Sequence, residues 1–499
     1  MKAFLLLLAV LALASAANVT TKLWPRPINF TSTPEGDNIT VSPCDIKYVV
    51  ESPGQIYVEE MINLYLIQVF HCTKIQEGKI SLNVVVKSVD PMEHQQVELS
   101  ADYYPGFLRG LETFSQLFEK NDKEEYVVHS VPVTISDAPQ FLWRAVMIDT
   151  SRHFLPVGTI KRAIDAMMYS KLNVLHWHIT DEDAFPLFVP TVPELSGSGS
   201  VGGVYSEVEV KSIIAYGKQR GVRVVPEIDT PAHSESWGRS EKYKSITLNC
   251  NGKYEGQLDP TLNLTWDVLT DVLKYVNTTF TDDYVHFGGD EVVYNCWGDR
   301  PAIVSWMKDN NISDFKSLSI YFRHRQKQLW RTISPKKKVI YWANEDIDLP
   351  VDNDDVIHWW GVSANVNKLA GRKNEVILSN YDLTYLDIGF GNYYGRTYGT
   401  YEHWRKVYSF EPRVANVNVI GGAACMWNEV GTYRTFEQKV IQRSSVVGER
   451  LWNVKIDIKT DLRNIAARLT AHSDRLRERG YKVWPVTVGI CEKEIDICF

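Results

Sequence analysis

The chain has 499 residues, 44% of them hydrophobic and 23% charged, with a formal net charge of −7. That length exceeds one ordinary domain and allows a large buried core, so two domains are the natural expectation. Mild acidity without basic blocks speaks against a nucleic-acid partner, and beyond the N-terminal run no segment offers the ~20 uninterrupted apolar residues of a membrane span.

Residues 1–16 have the form of a secretory signal peptide. Lys2 supplies the positive start and Phe4 to Leu13 an apolar run too short to cross a bilayer. Ala14-Ser15-Ala16 is a small-residue cleavage site, which puts the start of the mature chain near Ala17. Acceptor sequons at Asn18, Asn29, Asn38, Asn263, Asn277 and Asn311 agree with export. So do seven cysteines, most of which an oxidising compartment would pair. Proximity along the chain points to Cys44–Cys72, Cys250–Cys296 and Cys491–Cys498. Cys425, inside the apolar run Gly422 to Trp427, is then a buried free thiol. The expected destination is a lysosome, another acidic vesicle or the exterior.

Residues 17–137 read as a small α+β domain. Ile80 to Val89 and Tyr126 to Ile135 have strand character, Phe107 to Phe118 has helical periodicity, and Leu23-Trp24-Pro25-Arg26-Pro27 excludes regular helix. Ser136-Asp137-Ala138-Pro139 is the expected junction.

Residues 138–499 change rhythm. Short apolar runs recur at Arg144-Ile148, Leu172-Ile179, Val222-Ile228, Tyr284-Phe287, Lys338-Ala343, Val356-Trp360, Val376-Ser379 and Val419-Met426. Helical patterns separate most of them: Thr159 to Ser170, Glu207 to Arg220, Leu264 to Val276 and Ser317 to Ile333, with Asp461 to Arg479 closing the series. Near-continuous apolar strands alternating with helices indicate a parallel sheet covered on both faces. Eight such units fit a closed (β/α)8 TIM-type barrel better than an open doubly wound sheet. The interval between the fifth and sixth strands, Ile347 to Asp352, is too short and proline-interrupted for a helix.

In such a barrel the active site lies at the carboxyl ends of the strands. Those ends carry Asp149, Arg152 and His153; His176, Trp177, His178, Asp181, Glu182 and Asp183; Glu227, Asp229 and His233; Asp290 and Glu291; Trp342 and Glu345; Trp359 and Trp360; Tyr385 and Asp387; and Trp427 and Glu429. The most telling stretch is His286-Phe287-Gly288-Gly289-Asp290-Glu291. Adjacent side chains on a strand point apart, but two glycines past its end let the backbone turn both acids into one cavity. A carboxyl pair with split roles suits glycoside cleavage. A zinc reading can be built on His176, His178, Asp181 and Asp229, yet no His-Glu-x-x-His helix is present, nor is a Gly-x-Ser-x-Gly elbow.

These motifs, with Leu23-Trp24-Pro25, Asp149-Thr150-Ser151-Arg152-His153, His176-Trp177-His178, Pro226 to His233, Gly421 to Glu429 and Glu449-Arg450-Leu451-Trp452, run nearly end to end. In them the chain resembles the eukaryotic β-N-acetylhexosaminidases of glycoside hydrolase family 20. The resemblance implies a dimer, expected here as a homodimer with a heterodimer left open, and it supports the three disulfides above. It also implies a retaining reaction in which the substrate's own acetamido oxygen is the nucleophile.

By resemblance, Glu291 is the general acid and then the base, Asp290 orients the acetamido group and stabilises the oxazolinium, and Tyr385 donates to the acetamido oxygen. Asp181 and His233 form a relay behind Glu291. Trp342, Trp360 and Trp427 wall the pocket, and Arg152, Glu429 and Asp387 bind hydroxyls of the terminal sugar. The reading involves no cofactor and no metal; the partners are glycans ending in β-linked N-acetylhexosamine. Departures from the family pattern are Glu182 and Ala232, where aspartate and glycine are common, and Asp387-Ile388, which lacks a basic residue for sulfated sugars. Alternatives are a chitooligosaccharide-specific enzyme and a non-catalytic carbohydrate-binding protein on the same scaffold.

Overall fold

A computed structural model of the chain describes residues 22–43, 48–49, 55–71, 79–81, 99, 101, 103–250, 256–345, 351–390, 392–393, 396–397 and 399–487. The signal peptide, Asn18, the cysteines at 44, 72, 491 and 498, and most of the expected strand at 80–89 lie outside those residues.

Strand β1 (Asn29–Val41) pairs antiparallel with β2 (Tyr126–Ser136), which carries the short strand Glu119–Lys120 on its other edge. Helices α1 (Gln55–Gln68) and α2 (Tyr104–Ser115) pack Tyr65, Leu108 and Phe114 against Met168, Tyr169 and Leu476 of the larger unit. The small module therefore shares a hydrophobic core with that unit. At the junction, Asp137 accepts from Ile28 N at 3.1 Å, Trp452 Nε1 at 2.8 Å and Lys171 Nζ at 2.9 Å.

The larger unit is a closed barrel of eight parallel strands, each beside its successor in the chain: β3 (Trp143–Asp149), β4 (Val174–Thr180), β5 (Arg223–Ile228), β6 (Tyr284–His286), β7 (Lys338–Ala343), β8 (Val356–Trp359), β9 (Glu375–Leu378) and β10 (Asn418–Met426), which closes on β3. Every residue of β3 and of β4 is buried, as expected for strands covered inside and out. The outer layer is α3 (Val157–Tyr169), α4 (Glu207–Gln219), α5 (Asn263–Thr279), α6 (Phe315–Ile333), α7 (Phe436–Trp452) and α8 (Ile458–Glu478). Local chemistry sets their starts: Ser206 and Glu209 form a reciprocal capping box on α4, and Asp314 caps α6.

The described part of the β7–β8 connection holds no helix. Lys327 of α6 pins it through Asp352, Asp354 and Asp355 at 2.7, 2.9 and 2.6 Å. Helix α7 is buried throughout residues 439–452, polar ones included, although its sequence is as amphipathic as those of α5, α6 and α8. Its Glu449 pairs with Arg468 of α8 at 2.7 Å and accepts from Tyr408 at 2.9 Å, so the helix is held by a polar network as well as by apolar packing. Cys250 and Cys296 are disulfide-bonded, tying the β5 loop to the segment after β6, and Cys425 is a buried free thiol, as expected.

Candidate active site

The acid pair is built by backbone geometry. Gly288 (φ +62°) and Gly289 (φ +90°) occupy left-handed conformations that favour glycine. A Cβ on Gly288 would lie 1.7 Å from Asp229 Oδ1, the same oxygen that accepts from Gly289 N at 2.8 Å. The turn therefore splits two adjacent acids. Asp290 faces inward, with its Oδ1 buried and without a hydrogen-bond partner, whereas the Glu291 side chain is 61% exposed. Glu291 (φ +50°) and His233 (φ +53°) are themselves left-handed residues other than glycine, of the kind that cost ~1–2 kcal/mol and cluster at functional sites. They face each other, His233 Nε2 lying 3.4 Å from Glu291 Oε2.

Behind them is a dense charge network. His233 Nδ1 is shared by Asp181 Oδ1 and Glu182 Oε2, both at 3.1 Å. Arg152 approaches Asp181 at 2.7 Å, Asp183 at 3.3 Å, Asp149 at 3.4 Å and Glu182 at 3.8 Å, and its guanidinium stands 5.3 Å from the Trp427 ring. The Asp229 carboxyl lies within 4.8 Å of both His233 and Asp290.

These neighbours divide the acids electrostatically. Burial pushes Asp290 up to about 6 against the pull of His233, with Glu291 adding to the rise. Burial and the Asp290 charge hold Asp229 well above the carboxylate range. The hydrogen bond and charge of His233 draw Glu291 below its ordinary value. Asp181 is held far down by Arg152 and His233 despite its burial.

The residues expected to face the sugar gather on the same rim. Trp342, Tyr385, Trp360 and Trp427 belong to one apolar cluster; Trp427 is 6.0 Å from Trp342 and 6.2 Å from Tyr385, centroid to centroid. Tyr385 follows a short helix, Tyr381–Thr384, and bridges to Cys425 of β10. Asp387 is fully buried with neither carboxylate oxygen hydrogen-bonded, and Glu429 Oε2 and Trp360 Nε1 are also buried without partners. Burial raises Asp387 strongly and Glu429 to about 7. Unpartnered buried polar atoms at this end of the barrel are of the kind that a hydroxyl- and amide-rich ligand would satisfy.

The profile of the glycosyl hydrolase family 20 catalytic domain matches residues 141–455. The chain belongs to glycosyl hydrolase family 20. It is 36% identical to the beta-hexosaminidase subunit beta of Mus musculus over 416 residues, 80% of this chain and 74% of that one. With the subunit beta of Felis catus it shares 31% over 541 residues, 99% and 98% of the two chains. In fold it is similar to the family 20 exo-β-N-acetylglucosaminidase of Vibrio harveyi in complex with N-acetylglucosamine (TM-score 0.79, 22% identity, 93% of this chain and 78% of that one). It is likewise similar to a chitobiase of Flavobacterium johnsoniae (TM-score 0.76, 26% identity, 92% and 73%). As a family 20 member the chain is a glycoside hydrolase with exo-β-N-acetylhexosaminidase activity.

Several residues of this family 20 site carry more structural weight than their strand-end positions conveyed. Glu227, at the carboxyl end of β5, has Trp342 Nε1 at 2.6 Å, His176 Nε2 at 2.7 Å and His178 Nδ1 at 2.9 Å. Asp229 shapes the Gly288-Gly289 turn, and Glu182 reaches His233 as closely as Asp181 does. The repeated His-x-His and Glu-x-Asp pairs were the available signals, since i and i+2 share one face of a strand. Four sequon asparagines, Asn29, Asn38, Asn263 and Asn311, are exposed, while Asn277 is half-buried with its Nδ2 3.4 Å from Ile333 O.

Proposed function

We propose that the enzyme removes terminal, non-reducing β-linked GlcNAc or GalNAc with retention, using the substrate's acetamido oxygen as nucleophile. The supporting observation is the split acid pair: an inward, unpartnered Asp290 beside a solvent-facing Glu291 backed by His233. Asp290 accepts from the acetamido N–H and faces the positive charge of the forming oxazolinium. Tyr385 donates to the acetamido oxygen, and Trp342, Trp360 and Trp427 confine the methyl group and the ring. Holding the nucleophile in place is worth up to roughly 7–11 kcal/mol of barrier. Glu291 protonates the leaving oxygen and then, as carboxylate, takes a proton from the water that opens the oxazolinium. Asp387 and Glu429 bind sugar hydroxyls with their free oxygens. Arg152, drawn into four carboxylates, orders the relay and one edge of the sugar site.

Asp387-Ile388 offers no cation to a sulfate, so neutral terminal sugars are the preferred substrates; a roughly tenfold better rate on 6-sulfated GlcNAc contradicts that. Among the described residues no helix is long and apolar enough to cross a membrane. The signal-like start, the exposed sequons and the Cys250–Cys296 bond support a route through the secretory pathway to an acidic vesicle or the exterior, and relatives named as subunits support a dimer. The deciding assay compares an aryl β-GlcNAc glycoside with the matching β-glucoside, with a thiazoline inhibitor as control. Equal turnover of the sugar without the amide rules out acetamido participation.

A further inference from the structure

The relay behind Glu291 does not end at Asp181. Asp181 Oδ2 also accepts from His178 Nε2 at 2.8 Å, and the other nitrogen of that ring, Nδ1, lies 2.9 Å from Glu227 Oε2. His178 and Glu227 are both fully buried. A carboxylate oxygen lies within 3 Å of each nitrogen of His178, and against the cost of burial Glu227 and Asp181 raise its proton affinity well above the ordinary imidazole value.

Glu227 is itself fixed from several strands. Its Oε1 accepts from Trp342 Nε1 at 2.6 Å, and its Oε2 lies 2.7 Å from His176 Nε2. Beside it runs a one-way chain of neutral imidazoles. Gly288 N donates to His286 Nδ1 at 3.0 Å, so His286 carries its proton on Nε2 toward His358 Nδ1 at 3.2 Å. His358 Nε2 in turn faces Ser379 Oγ at 2.7 Å, and Ser379 donates to Ala423 O at 3.1 Å. Burial keeps His286 and His358 neutral. His176 faces Glu227 alone, whereas His178 stands between two carboxylates, Glu227 and Asp181.

We propose that Glu227 and His178 are positioning residues of the general-acid relay, which runs Glu291–His233–Asp181–His178–Glu227 as an alternation of carboxylates and imidazoliums anchored at its inner end by Trp342. The proposal rests on Glu291 being the general acid. No proton travels the length of the chain. Each ion fixes the charge and orientation of the next, so that His233 stays cationic and aimed at Glu291 while Glu291 gives up and regains its proton. The other charges facing the relay are Arg152 and Glu182 at its middle, and Asp229 and Asp290 beside His233.

The test is a double-mutant cycle on the full chain with Glu227→Gln, which keeps the volume and removes the charge, and Glu291→Gln. Turnover is measured on an alkyl β-GlcNAc glycoside, which needs acid assistance, and on the 2,4-dinitrophenyl glycoside, which does not. The relay predicts that Glu227→Gln lowers kcat about tenfold on the alkyl substrate and less than about threefold on the activated one. In the Glu291→Gln background the tenfold loss disappears, because the group it acts through is gone. Equal losses on both substrates, or a loss that persists undiminished in the Glu291→Gln background, assign Glu227 a merely structural role and overturn the proposal. If Glu291→Gln alone lowers both substrates equally, the acid assignment itself fails and takes the relay with it. Should Glu227→Gln not fold, His178→Gln breaks the same chain one link nearer and must give the same pattern.

Discussion

Asp290→Asn separates what the acid costs the fold from what it gives the reaction. The carboxyl is displaced from 3.8 to about 6 chiefly by burial. A raised folded-state value means that the native protein holds this proton more tightly than the unfolded chain does. The associated stability is fully present below about 3.8 and is lost as pH rises through about 6. The displacement corresponds to ~2–3 kcal/mol, the lower figure allowing for the residue's partial exposure. The neutral amide avoids that penalty. Urea unfolding should therefore find the variant more stable than the parent by ~2–3 kcal/mol at pH 7 and by little at pH 4. Turnover should move the other way. An anion within a few ångströms of the forming oxazolinium is worth roughly 3–4 kcal/mol at an effective dielectric near 20, so kcat should fall by about two to three orders of magnitude. A wild-type kcat, or a stability difference that does not change between the two pH values, refutes the assignment of Asp290 as a buried charge kept for the transition state.

Glu291→Gln should preserve the fold and cost at least about a hundredfold on alkyl glycosides, with far less on dinitrophenyl ones; uniform loss would remove its acid role. In the proposed mechanism the productive state of the pair is singly protonated, with Asp290 ionised and Glu291 carrying the proton. The kcat/KM profile should then rise through a value below 4.5 and fall through about 6, giving an acidic optimum. A profile still climbing at neutrality contradicts it. Gly288→Ala places a methyl 1.7 Å from Asp229 Oδ1 at φ +62° and should cost ~2 kcal/mol or more together with most of the activity; a fully active variant would show that the turn can relax. Cys250→Ser opens a link spanning 46 residues and should lower stability by ~4 kcal/mol on chain-entropy grounds, read by urea unfolding under non-reducing conditions.

Near-continuous apolar runs made the eight barrel strands legible one by one, because strands buried on both faces have little choice of composition. The Gly288-Gly289 pair announced the turn that presents two acids, since no other residue tolerates that conformation so readily. The burial of helix α7 was not legible: Lys439, Gln442, Arg443, Glu449 and Arg450 give it polar positions of the kind that usually face solvent, yet the fold buries them. Which partner each acid and histidine takes was also decided only in three dimensions. His178 and Glu182 belong to the end of β4, Glu227 and His233 to the end of β5, and their sequence separation says nothing about a 2.9 or 3.1 Å contact. Covalent order and side-chain pattern thus determined the barrel and the chemical inventory of its rim. Closure of the barrel decided the charges, because burial and proximity exist only once the strands have met.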